Sequence, residues 1–211
     1  MTDDRARSAL AHRAPLAAGD ALRLAERPND GVVVLRGEPE VIAGPVGETT
    51  GLLLPRTCRG TVATPALAAL WLAPDEWLLV TAGVDAAAAL AGELTATLAG
   101  RHHQAVDVSD YYTALELHGS ALRSCLAKVV GLDLHPRAWR RDEVLGTHLA
   151  KAVVQLWLTA DEADAAGPTA RVIVRRSLAD HVWCVIAAAG REWDLPAARP
   201  VGRVPLHIPA A

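Results

Sequence analysis

Eight histidines, three cysteines and arginines set beside tryptophan are the residues from which this 211-residue chain could build chemistry. A metal site needs His, Cys or acid side chains that return to one face with a fourth partner in reach. His102 and His103 are adjacent, so they point apart in any extended chain. His118 ends an alternating run before Gly119, and His135 precedes Pro136 at a tight connection. His148 and His181 fall on a predicted strand and a predicted helix. All of these suit structural hydrogen bonding, and no zinc set emerges. Ser109, His118 and Asp110, or Cys125 and His181, contain the residue types of a nucleophilic centre, but closeness in the chain is not triad geometry. Nucleotide-binding glycine loops and the HExxH helix are absent from the sequence.

The basic residues are more pointed. Arg137, Arg140 and Arg141 surround Trp139, and Arg175 and Arg176 follow a predicted strand. Two readings stand side by side: a solvated rim, or a subunit contact anchored by the residue types that most often carry interfaces. Trp139, Arg140, Arg141, Arg175 and Arg176 are the expected interface residues. No catalytic, cofactor-binding or metal residue is assigned.

Hydrophobic periodicity supplies the elements that would position these groups. Residues 104–108 and 112–118 alternate as strands with one buried face. Ser120 can cap a helix over 120–130, whose Leu122, Cys125, Leu126 and Val129 form an apolar stripe that Gly131 stops. Upstream, residues 31–36 read as a strand. The stretch after it is interrupted by Pro39, Gly44, Pro45 and Gly47, so a helix there is weakly supported. Residues 62–64 form a short strand, and 68–72 and 76–81 a hairpin across Pro74-Asp75. Asp85 is the expected cap of a helix over 86–99, with Leu90, Leu94 and Leu98 on its buried face.

That order is the split βαβ arrangement of a ferredoxin-like unit, and it repeats with strands at 112–118, 143–149, 151–159 and 170–175 and a last helix at 179–189. The sequence therefore predicts an α+β fold of two fused ferredoxin-like βαββαβ halves. Residues 30–190 form the domain, with halves of about 31–108 and 109–190. Residues 1–29 read as an N-terminal arm with up to two helical turns over 17–25, either free or ordered against a partner. The acidic loop at 160–169 is expected to be mobile, and the Pro-rich tail at 191–211 to be extended.

Composition narrows the function classes. Hydrophobic residues make up 51% of the chain, Phe is absent, and the core must be built from Leu, Val, Ile and six Trp. A net charge of −3 argues against a nucleic-acid or anionic-membrane partner. Cys58, Cys125 and Cys184 are odd in number and set among apolar neighbours, which predicts buried free thiols in a reducing cytoplasm. No stretch approaches the roughly 20 apolar residues of a spanning helix, and no secretory signal is evident.

The run strand, Asp-Val-Ser, strand ending His-Gly, helix, Val-Gly-Leu-Asp-Leu resembles a segment of the glycine-cleavage aminomethyltransferase superfamily. Four blocks together resemble something narrower: ALWLAPDEWLLV at 69–80, AVDVSD at 105–110, LDLHPRAW at 132–139 and VRRSLADHVW at 174–183 are similar to the gamma subunit family of heterotetrameric sarcosine oxidase. The resemblance implies a role in oxidative demethylation of sarcosine to glycine with oxygen and tetrahydrofolate, giving hydrogen peroxide and methylenetetrahydrofolate. It implies an alpha subunit as main partner, with beta and delta subunits. FAD, FMN, NAD, tetrahydrofolate and zinc are expected on those partners and none on this chain. Superfamily members carry an Asn-Asp-x-Gly-Gly type stretch with an acid for the folate, whereas this chain reads Thr57-Cys58-Arg59-Gly60-Thr61 at that place. The pterin-binding Gly-Tyr-Thr-Gly-Glu type loop is likewise missing. The expectation is a cytoplasmic, non-catalytic scaffold, the alternative a stand-alone folate-binding or aminomethyltransferase-like protein.

Overall fold

The computed structural model describes residues 8–28 and 30–199. Its first half runs β3 (Gly31–Gly37), α1 (Pro39–Thr50), β4 (Thr61–Ala63), β5 (Leu67–Ala73), β6 (Glu76–Thr81), α2 (Val84–Thr97) and β7 (His103–Asp107). The five strands make an antiparallel sheet in the order β4-β5-β6-β3-β7. The helix that the sequence supports weakly is present. Pro39 opens it at a position where the missing N–H costs nothing, and Ile42 and Val46 bury one face. Pro45 sits inside it, and Gly51 ends it at φ 69° with its N–H on the Gly47 carbonyl. Asp85 lies in the first turn of α2 rather than at its cap, which is Gly83.

The second half contains β8 (Tyr112–His118), α3 (Leu122–Ala127), β9 (Val144–Leu149), β10 (Ala152–Ala160), β11 (Thr169–Arg175) and α4 (Ala179–Ala189). Helix α3 is shorter than its apolar stripe suggests, and Ser120 does not cap it. The strand that completes this half comes from the other end of the chain. β1 (Leu16–Ala18) and β2 (Leu22–Arg27) form a hairpin, and β2 pairs antiparallel with β8 from Arg23 opposite His118 to Arg27 opposite Ala114. The six-stranded order β1-β2-β8-β11-β10-β9 thus repeats the first sheet, with β2 in the place that β7 holds beside β3.

The segment expected to be an arm with helical turns is therefore strand. Leu22 and Leu24 alternate with Arg23, and both leucines are fully buried, a period-two burial that a helix would have broken. Gly119, at φ 124°, lets the hairpin approach: a Cβ there would lie 2.4 Å from the Ala21 carbonyl oxygen. Part of the proline-rich tail is also tied down, since residues 190–193 form a 3-10 turn and Leu195 packs in the core. Residues 1–7 and 200–211 of the expected arm and tail lie outside the described residues. The 160–169 loop, expected to be mobile, is pinned by Arg123 on Glu162 at 2.5 Å and Arg141 on Asp164 at 2.6 Å.

Alternation along the strands sorts the core into three layers of contact. Val33, Leu35, Trp77 and Leu79 face α1 and α2, while Leu115, Leu117, Val154, Leu156 and Val172 face α3 and α4. The intervening residues, among them Val32, Leu70, Leu78, Val80, Ala114, Val144, Trp157 and Ile173, meet between the two sheets. The result is helices, sheet, sheet, helices.

Candidate functional site

Where the two sheets meet, a ligand could lie either in the space between them or at the margin where their edges join. The first is closed. Trp157 from β10, 4% exposed, belongs to the same inter-sheet apolar cluster as Leu70 and Leu78 of the facing sheet. A void bounded by Asp30, Val32, Thr113, Arg171 and Ile173 measures ≈ 10 Å³, room for about one water. The Arg171 guanidinium stacks over the Trp157 ring at 4.9 Å, and burial, then the nearby Arg27, lowers its pKa. Asp30 holds Arg27 at 3.1 Å, and Arg27 reaches Glu116, so the charged groups at this end neutralise one another.

The margin is a cleft of ≈ 480 Å³ between β5, the segment before β4, the loop after α3, and β9 with Gln155 of β10. The 57–61 segment builds one wall. Its backbone bridges the sheets: Val144 N–H donates to the Arg59 carbonyl at 2.9 Å, and Gly60 forms a β-bridge with Glu143. Thr61 hydroxyl donates to the Asp142 carbonyl at 2.7 Å. The Arg59 side chain donates to Glu143 at 2.6 Å and to the Ala138 carbonyl at 2.5 Å. The segment is a clasp between two sheets.

Acids near this cleft are committed. Glu143 also accepts from the Arg140 N–H at 2.9 Å. Asp133, on the rim, accepts the His135 N–H, and that bond, with Arg137 beyond it, holds the carboxyl below the usual carboxylate range. A pterin does not fit the inter-sheet void, because pockets for ligands of that size reach about 300 Å³ or more. No step through folate is derived for this chain.

The sequence-marked residues divide. Trp139 is fully buried, its indole N–H on the Glu143 carbonyl at 3.2 Å and its ring under Arg123, so it braces the loop after α3 and offers no exposed ring. Arg140 and Arg141 are exposed beside it, and Arg141 is paired to Asp164. Arg175 is exposed and lies over the Tyr111 ring at 5.2 Å, and the Arg176 N–H bonds the Tyr111 carbonyl at 3.0 Å. The two basic groups flank opposite ends of β11, about 20 Å apart along seven strand residues, so the fold does not merge them.

His118 meets the Thr169 hydroxyl at 3.0 Å, and His135 accepts from the Arg137 N–H. No group of three or more His, Cys, Asp or Glu suited to a metal occurs among the described residues. Cys125 is buried and its thiol is pushed up to about 11 by burial. Cys58 is exposed on the cleft, against the expectation of a buried thiol.

The profile of the "Sarcosine oxidase, gamma subunit family" matches residues 37–192, well over half of the chain. The chain belongs to the sarcosine oxidase gamma subunit family. A relative named sarcosine oxidase subunit gamma, from Arthrobacter sp, is 40% identical over 101 residues, 48% of this chain and 48% of that protein; the chain thus spans about half the relative's length. Among solved structures, this gamma-family chain is similar to a chain of the heterotetrameric sarcosine oxidase from Corynebacterium sp. U-96 in complex with pyrrole 2-carboxylate. There the TM-score is 0.80 at 28% identity, covering 93% of this chain and 98% of that one. The glycine cleavage system aminomethyltransferase T from Bartonella henselae shares the fold, with a TM-score of 0.60 at 15% identity over 87% of this chain and 48% of that one. The gamma-family chain is therefore an aminomethyltransferase-like α+β fold of two ferredoxin-like halves. Among the described residues no helix is long and apolar enough to cross a membrane.

Sequence reasoning missed the clasp. Arg59 was legible only as the absence of an acid, and nothing in the local pattern pointed to Glu143, 84 residues away. The β1–β2 hairpin left a signal, the Leu22 and Leu24 alternation, too short to outweigh the surrounding Ala and Arg.

Proposed function

We propose that this chain is a non-catalytic structural subunit of a heterotetrameric sarcosine oxidase, in which other subunits demethylate sarcosine oxidatively to glycine with tetrahydrofolate and oxygen. The observation that carries the reading is the filled inter-sheet layer, in which Trp157, Leu70 and Leu78 are buried in one cluster, in a chain of the gamma family. Its partners in this reading are an alpha subunit, chiefly, with beta and delta subunits, in the cytoplasm. FAD, FMN, NAD, tetrahydrofolate and zinc reside on those partners. Exposed Arg140 and Arg141 beside buried Trp139, and exposed Arg175 with half-buried Arg176 beyond the C-terminal end of β11, are the proposed contact groups.

Co-expression with the other subunits tests the assembly: the chain should elute with them at fixed stoichiometry, and a chain that stays apart overturns it. Calorimetric titration of the chain with tetrahydrofolate separates this reading from a stand-alone folate-binding protein. No heat of binding is expected, and micromolar affinity would favour the alternative.

A further inference from the structure

Strand β7 ends the first sheet, with β3 on one side of it and no strand among the described residues on the other. Val108 N–H donates to the Val32 carbonyl at 2.8 Å, and backbone groups along an antiparallel strand turn alternately toward and away from the partner. Gln104 and Val106 therefore turn theirs to Arg36 and Val34 of β3, while His103, Ala105 and Asp107 point theirs outward. The matching edge of the second half is covered, because β1 lies on the outer side of β2. The first sheet's other margin is closed too, where Gly60, next to β4, bridges to Glu143. An open strand edge is a template for another extended chain, and proteins normally blunt it.

Charge is sorted along this edge. Arg101 and His102 precede β7 and His103 opens it, whereas Asp107 ends it and Asp110 follows. Arg101, His102, Asp107 and Asp110 are all exposed. Arg101 donates to the Thr97 carbonyl at 3.2 Å, His103 meets the Arg101 carbonyl at 2.9 Å, and Asp107 Oδ1 accepts from the Ser109 N–H and hydroxyl at 2.9 and 2.5 Å. Within the described residues these bonds leave the base of one end and the acid of the other without an opposite charge. A strand laid antiparallel on this edge meets the basic start with its own end and the acidic end with its own start, and β7 itself carries that complement. We propose that two copies of this chain pair through β7, antiparallel about a two-fold axis at Ala105, so that one sheet runs through both. In that register His103 lies opposite Asp107 of the second copy and Ala105 opposite Ala105, so all the outward-pointing residues exchange backbone bonds with one another. Gln104 falls opposite Val106, and covers a side chain that is 41% exposed in the single chain. The pairing goes beyond the subunit reading and does not depend on it. A five-residue strand makes a small contact, so affinity in the micromolar range is expected.

Sedimentation of the full chain across a micromolar concentration series tests it. The wild type should pass from monomer to dimer, and Arg101→Asp and Asp107→Arg should each weaken self-association at least about tenfold by setting like charges against each other. Mixed together, the two variants should pair again, because each then meets its opposite on the other chain. Paired residues that exchange backbone bonds have Cα atoms about 5.5 Å apart, within reach of a disulfide. Ala105→Cys, made with Cys58→Ser to remove the exposed thiol, should therefore oxidise to a crosslinked dimer. A wild type that stays monomeric at tens of micromolar, or a dimer that survives both charge substitutions, overturns the proposal. If either charge variant fails to fold, the Ala105→Cys crosslink decides. In the co-expressed oxidase, Ala105→p-benzoylphenylalanine attaching only to a different subunit also overturns the pairing, and leaves the subunit reading standing. A chain that dimerises but does not elute with the other subunits overturns that reading and leaves this one.

Discussion

Arg59 crosses from one sheet to the other and donates to Glu143 at 2.6 Å, so the 57–61 stretch carries a cation that finds its acid on the opposite half. The pair is partly exposed, at 37% and 29%, so solvent screens it, and the Ala138 carbonyl adds a second charged hydrogen bond. Arg59→Met should therefore lower unfolding stability by about 1–2 kcal/mol, a drop of a few degrees in the thermal midpoint for a chain of this size. Calorimetry against the wild type measures it, and an unchanged midpoint would show that the backbone bridge alone holds the margin.

Gly119 should not tolerate a side chain. Its φ of 124° is one that L residues avoid, and a Cβ would collide with the Ala21 carbonyl at 2.4 Å. Gly119→Ala is expected to cost at least about 2 kcal/mol and to loosen the β1–β2 hairpin first. Hydrogen exchange would report this as faster exchange at Leu22–Arg27 than at β10.

Acid should release the segment ahead of β1. Arg13 donates to Asp180 at 2.7 and 3.0 Å, and this hydrogen bond, with His12 also contributing, depresses the Asp180 pKa. A depressed folded pKa means that the stabilisation is present above the unfolded carboxyl value of about 4 and is lost as pH falls through the lower, folded value. Proteolysis near Arg13 should speed up below about pH 4 in the wild type. In Asp180→Asn it should already be fast at neutral pH; a variant that keeps the wild-type profile would refute the link.

The three thiols should separate by rate. Cys58 is exposed, whereas Cys125 is fully buried with its pKa raised to about 11, mainly by burial, and the thiolate is the reactive form. A thiol reagent at pH 8 should label Cys58 at once and Cys125 only on unfolding, with Cys184, half-buried beside Arg13, between them. Mass spectrometry of the labelled peptides gives the order.

Much of the layer order was legible because strands rich in buried apolar residues, such as β6 and β10, leave strong apolar runs, and because Leu90 and Leu94 of α2 recur with Leu98 at its C-cap. α1 was hidden by its own composition: Pro and Gly lower its intrinsic propensity, and tertiary packing of Ile42 and Val46 overrides that. Trp139 looked like an interface anchor because Trp and Arg together read as one, yet whether an indole faces solvent depends on distant partners, here Arg123 and Glu143.

Because β2 closes the second sheet, its partner β8 is still unmade when β2 itself emerges during synthesis; Arg27 and Glu116, which meet at that seam, are 89 residues apart. The first half contains all four of its principal strands in sequence order and can fold as it leaves the ribosome. The hairpin must wait, tethered through Pro28 to an already finished neighbour, with the buried faces of Leu22 and Leu24 uncovered. Translation order thus makes the earliest of these strands the last to be seated, and during that interval the nascent chain is most in need of a chaperone.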